Sequence, residues 1–318
     1  MKQLVLPLLL FLLSQSGWAA KSQSTLAYQN YTRGVELASK KKWAEALEKF
    51  QSAIDLNPGY VASYLEYART AVMMGHRKSG LQKLTAALEF AHNREDRERV
   101  AKERDNLSEI FYTNETFQLY QNGLNYLKLD RASSALEALE MALKTEPDNV
   151  MVLTAYGRTL REQDRVREAQ EVLERALALN DGKREVRIEL ANILLPTKPE
   201  RALLLVQPLL AGLTDERLAF IHAQGLSGTK KNREAIEFLK NSYEKQPSWT
   251  FAPLWLGRLY AQEPDGGWNA RKYLMIFLRR TEVETQGATA DTSPEALKIK
   301  AARAEAEAIL ARVNRALE

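Results

Sequence analysis

Few residues in this chain are able to do covalent chemistry. Among 318 residues there is no Cys, which excludes disulfides, thiolate zinc sites, iron–sulfur ligands and a cysteine nucleophile. No two of the three histidines, His76, His92 and His222, share a helical turn, and no HExxH, CxxC, GxGxxG, phosphate-loop or GxSxG motif is present. The 41 Asp and Glu side chains are interleaved with 45 Lys and Arg, as on solvated helix faces, and no acid–base pair stands out. This inventory predicts no enzyme, no cofactor and no metal site. The chemistry that remains is recognition by aromatic and Arg side chains, which are enriched at binding hot spots and contribute on the order of 2 kcal/mol or more each. A net charge of +4 is small for this length and does not point to nucleic acid.

The elements that would position such side chains show in a repeat. From Gly34, offsets of 3, 12, 16, 19 and 24 meet Leu37, Ala46, Phe50, Ala53 and Pro58. From Gly123 the same offsets meet Tyr126, Ala135, Leu139, Ala142 and Pro147; from Gly157, Leu160, Ala169, Leu173, Ala176 and Asp181; from Ala223, Leu226, Ala235, Leu239, Ser242 and Pro247. Small residues let two antiparallel helices approach to roughly 8–10 Å, large ones fill the space between, and the proline ends the second helix. This small-large-small pattern at a 34-residue period resembles the tetratricopeptide repeat.

The resemblance implies an all-α, right-handed superhelical solenoid of about seven helix-turn-helix units. They are read at 27–60, 61–94, 116–149, 150–183, 184–215, 216–249 and 250–282. Repeats one and two thus occupy 27–94 and repeats three to seven 116–282. Between them, 95–115 reads as an inserted charged helix with Asn93 as its cap, expected to be a solvated spacer. The fifth unit carries Pro208 inside its second helix, which should stop or kink there. Residues 285–292 read as a mobile connector and 293–318 as a C-terminal capping helix.

In such an array the first helix of each pair lines the concave side, so the register selects a partner-binding groove. It comprises Tyr31, Glu66, Arg69, Tyr120, Gln121, Leu124, Arg158, Arg161, Asn192, Phe220, Gln224, Trp255 and Arg258. For each aromatic, inter-repeat core is the competing placement. The expected partner is another protein, offering a peptide segment or helix. The carboxylate clamp found in some tetratricopeptide proteins is not matched, because Tyr31 and Val35, then Tyr120 and Leu124, stand where its Lys and Asn would be. The leading expectation is a non-catalytic scaffold or adaptor for an envelope complex, and the alternative is a self-associating structural scaffold.

The N-terminus reads as a signal peptide over 1–19: Lys2 supplies the positive start, Leu4 to Leu13 the apolar run, and Gly17 and Ala19 the small residues before a cut after Ala19. Ten apolar positions fall short of the roughly 20 that a spanning helix needs. Export to the periplasm is therefore expected, with secretion as the alternative and no stable membrane insertion after cleavage.

Overall fold

The computed structural model describes residues 23–286 and 294–318; the expected signal peptide, 1–19, lies outside them. The described chain is all-α, with helices α1 (residues 23–39), α2 (Trp43–Leu56), α3 (Val61–Met73), α4 (Arg77–Phe90), α5 (Arg94–Glu109), α6 (Asn114–Lys128), α7 (Ala132–Thr145) and α8 (Val150–Glu162). They are followed by α9 (Val166–Leu179), α10 (Arg184–Leu194), α11 (Pro199–Val206), α12 (Glu216–Gly228), α13 (Asn232–Lys245), α14 (Ala252–Tyr260), α15 (Gly267–Gln286) and α16 (Pro294–Leu317). Helix α15 continues through Gln286, so the connector expected over 285–292 begins later, and its remainder falls outside the described residues.

The chain divides into two compact units. One holds the described residues up to Leu127 with Ser133–Thr159 and Glu174–Lys183; the other holds Lys128–Ala132, Leu160–Leu173 and Arg184–Glu318. Within each unit, sequence-adjacent helices pack together as hairpins.

What draws the arms of a hairpin together is a missing side chain facing a large one. A Cβ on Gly34 would stand 2.6 Å from the Phe50 ring, one on Gly123 2.7 Å from Leu139 Cγ, and one on Gly257 2.6 Å from Leu274 Cγ. Phe50, Leu139 and Leu274 are fully buried, each filling the space left by its glycine.

The turn inside a hairpin is equally regular. The seventh residue after the small one adopts left-handed backbone at Lys41, Gly75, Asp130, Asp164 and Lys230, with φ of 60°, 82°, 55°, 58° and 63°. In four of these turns the next N–H reaches five residues back, from Lys42 to Leu37 O, His76 to Ala71 O, Arg165 to Leu160 O and Lys231 to Leu226 O. This closure satisfies carbonyls that the end of a helix leaves without partners. Pro208 acts as expected: α11 ends at Val206 after eight residues and gives way to a 3-10 turn over Gln207–Leu209.

Helix α5 departs from the spacer expectation. Asn93 caps it through Asp96 N–H, but Val100, Arg104, Leu107 and Ser108 are buried, and the helix packs on α3 and α4. Arg69 on α3 makes a bidentate pair with Glu103, through Nε at 2.7 Å and NH2 at 2.8 Å. At its other end α5 meets the residues that follow α9. Arg104 lies 2.6 Å from Asp181, Asn180 Nδ2 donates to Asp105 at 2.8 Å, and Lys183 pairs with Glu109. A solvated helix would leave these charges in water; here they are spent on contacts that dock it.

A second buried network anchors the segment after α5. Arg77 and Glu146, both almost wholly buried, pair at 2.8 Å. Glu146 also accepts from Asn149 Nδ2 and Tyr112 N–H, and Arg77 donates to Ile110 O. Burial pushes the Glu146 carboxyl up, but the bonds from Arg77, Asn149 and Tyr112 outweigh it and hold it below its ordinary value.

Three substitutions test this packing. Gly123→Val gains helix propensity but overpacks Leu139, and is expected to lose about 1–3 kcal/mol in a urea melt. Gly59→Ala, whose Cβ would have only Asn57 Oδ1 nearby at 3.5 Å, should stay within about 0.5 kcal/mol. Glu146→Gln leaves Arg77 buried without its counter-charge and should cost about 3 kcal/mol at neutral pH. Since the folded carboxyl titrates below 4.5, the pair's contribution is present above that value and lost as pH falls through the folded one. Wild type and variant should therefore converge in stability at acid pH, and an undiminished gap there would refute the assignment.

Candidate functional site

In the second unit first helices of successive hairpins lie beside one another, and in the first the inserted α5 lies beside α3. In the second unit α10 neighbours α12, α12 neighbours α14 and α14 neighbours α16; in the first, α3 neighbours α5. Side chains that reach from one first helix to the next therefore define a common face.

On the second unit's face a buried carboxylate holds two arginines. Glu189 on α10 receives Arg217 NH2 of α12 at 2.7 Å, while Arg161 NH2 of α8 lies 3.5 Å from its other oxygen. Arg161, also 4.0 Å from Glu162, keeps 34% of its side chain exposed, and Arg217 keeps 46%. The buried acid thus orients two guanidinium groups that each keep part of their surface in water.

Beside this triad sits an aromatic pair. Phe220 on α12 and Trp255 on α14 have ring centroids 4.3 Å apart, and Phe251 lies 6.2 Å from Trp255 in a stacked arrangement. The start of α14 is set by Glu216, whose Oε1 accepts from Phe251 N–H at 2.6 Å and Ala252 N–H at 2.7 Å. Burial raises the Glu216 carboxyl above its ordinary value, against the pull of those N–H groups. Arg258, one turn beyond Trp255, pairs with Glu305 of α16 at 3.1 Å. Asn192 and Gln224 are half-buried. His222 lies 4.3 Å from the Phe238 ring, and burial alone lowers its basicity.

The first unit holds two groups of the expected residues. Tyr31, Glu66 and Arg69 come together: Arg69 NH1 donates to Glu66 at 2.7 Å while its other donors hold Glu103. Burial and then the Glu66 charge raise the Tyr31 phenol, and Arg69 and Arg99 oppose them. Tyr120 instead packs in a core cluster with Leu139, Ala142 and Val152, its ring 5.3 Å from Phe111, with Leu124 against the same cluster. Gln121 and Arg158 are half-buried.

Sequence reasoning passed over Arg217, Glu103, Tyr60 and Glu305. The Arg69–Glu103 pair carried a signal, since the two stand one 34-residue period apart. The links from Glu189 to Arg161 and Arg217, 28 residues apart on either side, follow no such period.

Helix hairpins in tandem, with first helices sharing a face, define the class as a helical-repeat protein. Residues 126–193 match the tetratricopeptide repeat profile. No curated protein matches the chain. Among solved structures, MamA from Desulfovibrio magneticus RS-1 is similar at 16% identity and a TM-score of 0.46, covering 56% of this chain and 100% of that one. A tetratricopeptide repeat protein from Parabacteroides merdae aligns at 14% identity and a TM-score of 0.42, over 86% of this chain and 98% of that one. Pseudomonas aeruginosa pilF aligns at 15% identity and a TM-score of 0.36, over 72% and 95%.

The triad leads to a prediction. Glu189→Ala removes a buried carboxylate shared by two arginines that keep contact with water, and should lower stability by about 1 kcal/mol. Adding Arg217→Met, which withdraws one of the charges left behind, should recover part of that loss; a double variant no more stable than the single one would mean that Arg217 does not depend on Glu189.

Proposed function

We propose that this protein is a non-catalytic, exported scaffold that binds a segment of another protein along the face of its first helices and so supports assembly of a complex in the cell envelope. The observation that carries the reading is the Phe220–Trp255 ring pair beside the Arg161–Glu189–Arg217 triad. Partly exposed aromatic rings give contact area at little entropic cost, and positioned guanidinium groups donate hydrogen bonds to carboxylate or amide oxygens of a bound segment. The tetratricopeptide repeat profile across 126–193 supports a protein partner over a small-molecule one.

Export rests on the signal-peptide reading of 1–19, and periplasmic location goes with it. Among the described residues, no helix is long and apolar enough to cross a membrane.

The test is capture from envelope extracts of the organism that makes the protein, comparing the mature chain with Trp255→Ala and Arg217→Glu. A partner held by wild type should be weakened at least tenfold by each variant at unchanged helicity, on the scale of hot-spot losses. Equal retention by all three proteins would place binding elsewhere. The protein itself, purified from its native cell envelope, should begin at Ala20, and a chain that keeps Met1 in the cytosol would overturn export.

A further inference from the structure

Two acids in this chain are placed alike. Each receives two consecutive backbone N–H groups from about one repeat away: Glu146 from Tyr112 and Thr113 at 2.6 and 3.3 Å, Glu216 from Phe251 and Ala252 at 2.6 and 2.7 Å. They differ in counter-charge. Glu146 pairs with Arg77 at 2.8 Å, whereas Glu216 has no ion-pair partner among the described residues. Burial therefore prevails at Glu216 and is outweighed at Glu146, so one carboxyl sits above its ordinary value and the other below.

What Glu216 holds is a helix start that does not cap itself. Helix α14 begins at Ala252, and its cap residue, Phe251, has no side-chain oxygen to receive N–H groups. The Glu216 carboxylate supplies that cap from α12, with its charge at the positive end of the α14 dipole. Trp255 N–H donates to Phe251 O at 3.1 Å, so the turn held by Glu216 aims both rings. Few charged groups face this carboxyl. Lys298 of α16 lies over the Phe251 ring at 4.8 Å and adds the smallest of the effects that oppose burial. Tyr243 of α13 is a phenol whose ring lies 5.4 Å from Arg280 of α15. Beside Glu216 in the chain, Asp215 pairs with Arg184 and Arg217 with Glu189.

We propose that Glu216 is a proton-sensitive latch on the aromatic face: uncharged, it loosens the first turn of α14 with Phe251 and Trp255, and so lowers affinity for the bound segment. The effect on the segment rests on the scaffold reading above; the latch itself does not. A neutral carboxyl is a weaker acceptor than a carboxylate and leaves the helix dipole without its counter-charge. The fold as a whole does not loosen with it. A carboxyl raised on folding takes up its proton in the folded chain first, so its contribution to stability grows as pH falls through the folded value.

The test follows the Phe251 and Ala252 amides of the mature protein by NMR, from about pH 7 to about pH 4. Both should shift together through one midpoint above 4.5. Their protection from exchange should fall about fivefold across it, the scale of a lost cap, while circular dichroism stays constant. Glu216→Gln, uncharged at every pH, should show no step and low protection throughout. Lys298→Ala, at an exposed position, should raise the midpoint. A partner captured through Trp255 should bind about three- to fivefold more weakly below the midpoint. A midpoint at or below 4.5, amides indifferent to pH, or the same step in Glu216→Gln would overturn the latch. Unchanged partner affinity on crossing the midpoint would overturn the regulation. A step in the amides with no partner captured would count against the scaffold reading instead.

Discussion

Two helices can pack closely along a hairpin only where one of them presents a small residue or none at all. Gly34 beneath Phe50, Gly123 beneath Leu139 and Gly257 beneath Leu274 are the same contact made three times. Close approach of the arms brings the small-faced helix of each pair to one side, and stacking of pairs then sets those helices beside one another. The face that carries Phe220, Trp255 and the Glu189 triad is a consequence of that contact. Hairpin turns reinforce it at some local cost: a Lys or Asp in left-handed backbone is disfavoured, yet Lys41, Asp130, Asp164 and Lys230 all adopt it. The helix-closing bonds recorded at Lys41, Asp164 and Lys230, together with packing of the arms, offset the strain.

Polar side chains do a different job. In the first unit, Arg104, Asn180 and the Arg77–Glu146 pair lie buried where α5 interrupts the repeat. Burying charge seldom adds stability over a well-packed apolar core, but a charged pair tolerates only one arrangement, which suits a junction where the repeat supplies no register. Glu189 and Glu216 work likewise in the second unit. Each is an acid whose partners lie on another helix, and each fixes the position of residues on the exposed face.

The hairpins were legible because their determinants are local and periodic. The small residue and the large one stand sixteen positions apart at Gly34–Phe50 and Gly123–Leu139 and seventeen at Gly257–Leu274, and that offset is the geometry of two arms joined by a short turn. Pro208 was legible because a proline without an N–H ends a helix wherever it stands. The place of α5 was not read. Its sequence is charged on most sides, and the arginine that is buried, Arg104, is indistinguishable by type from the exposed Arg94 and Arg97. Tyr31 and Tyr120 illustrate the same limit. Equivalent in register, one joins an open tyrosine cluster and the other a closed core beside Phe111, because only the second is followed by neighbours that cover it.

The sequence by itself determined that the chain forms helical hairpins, where each begins and turns, and which helix of each pair presents its small-residue side. Those properties follow from backbone sterics and from side-chain volume at fixed spacing, which are one-dimensional quantities. Only the tertiary structure decided which charges are paired within the protein and which stay exposed. Arg69, Arg161, Arg217 and Arg258 look alike along the chain, but each is paired with a carboxylate that stands 28 residues or more away or on another helix. Electrostatic pairing depends on distances of a few ångströms in space, and one-dimensional spacing records those distances only where the repeat itself carries them.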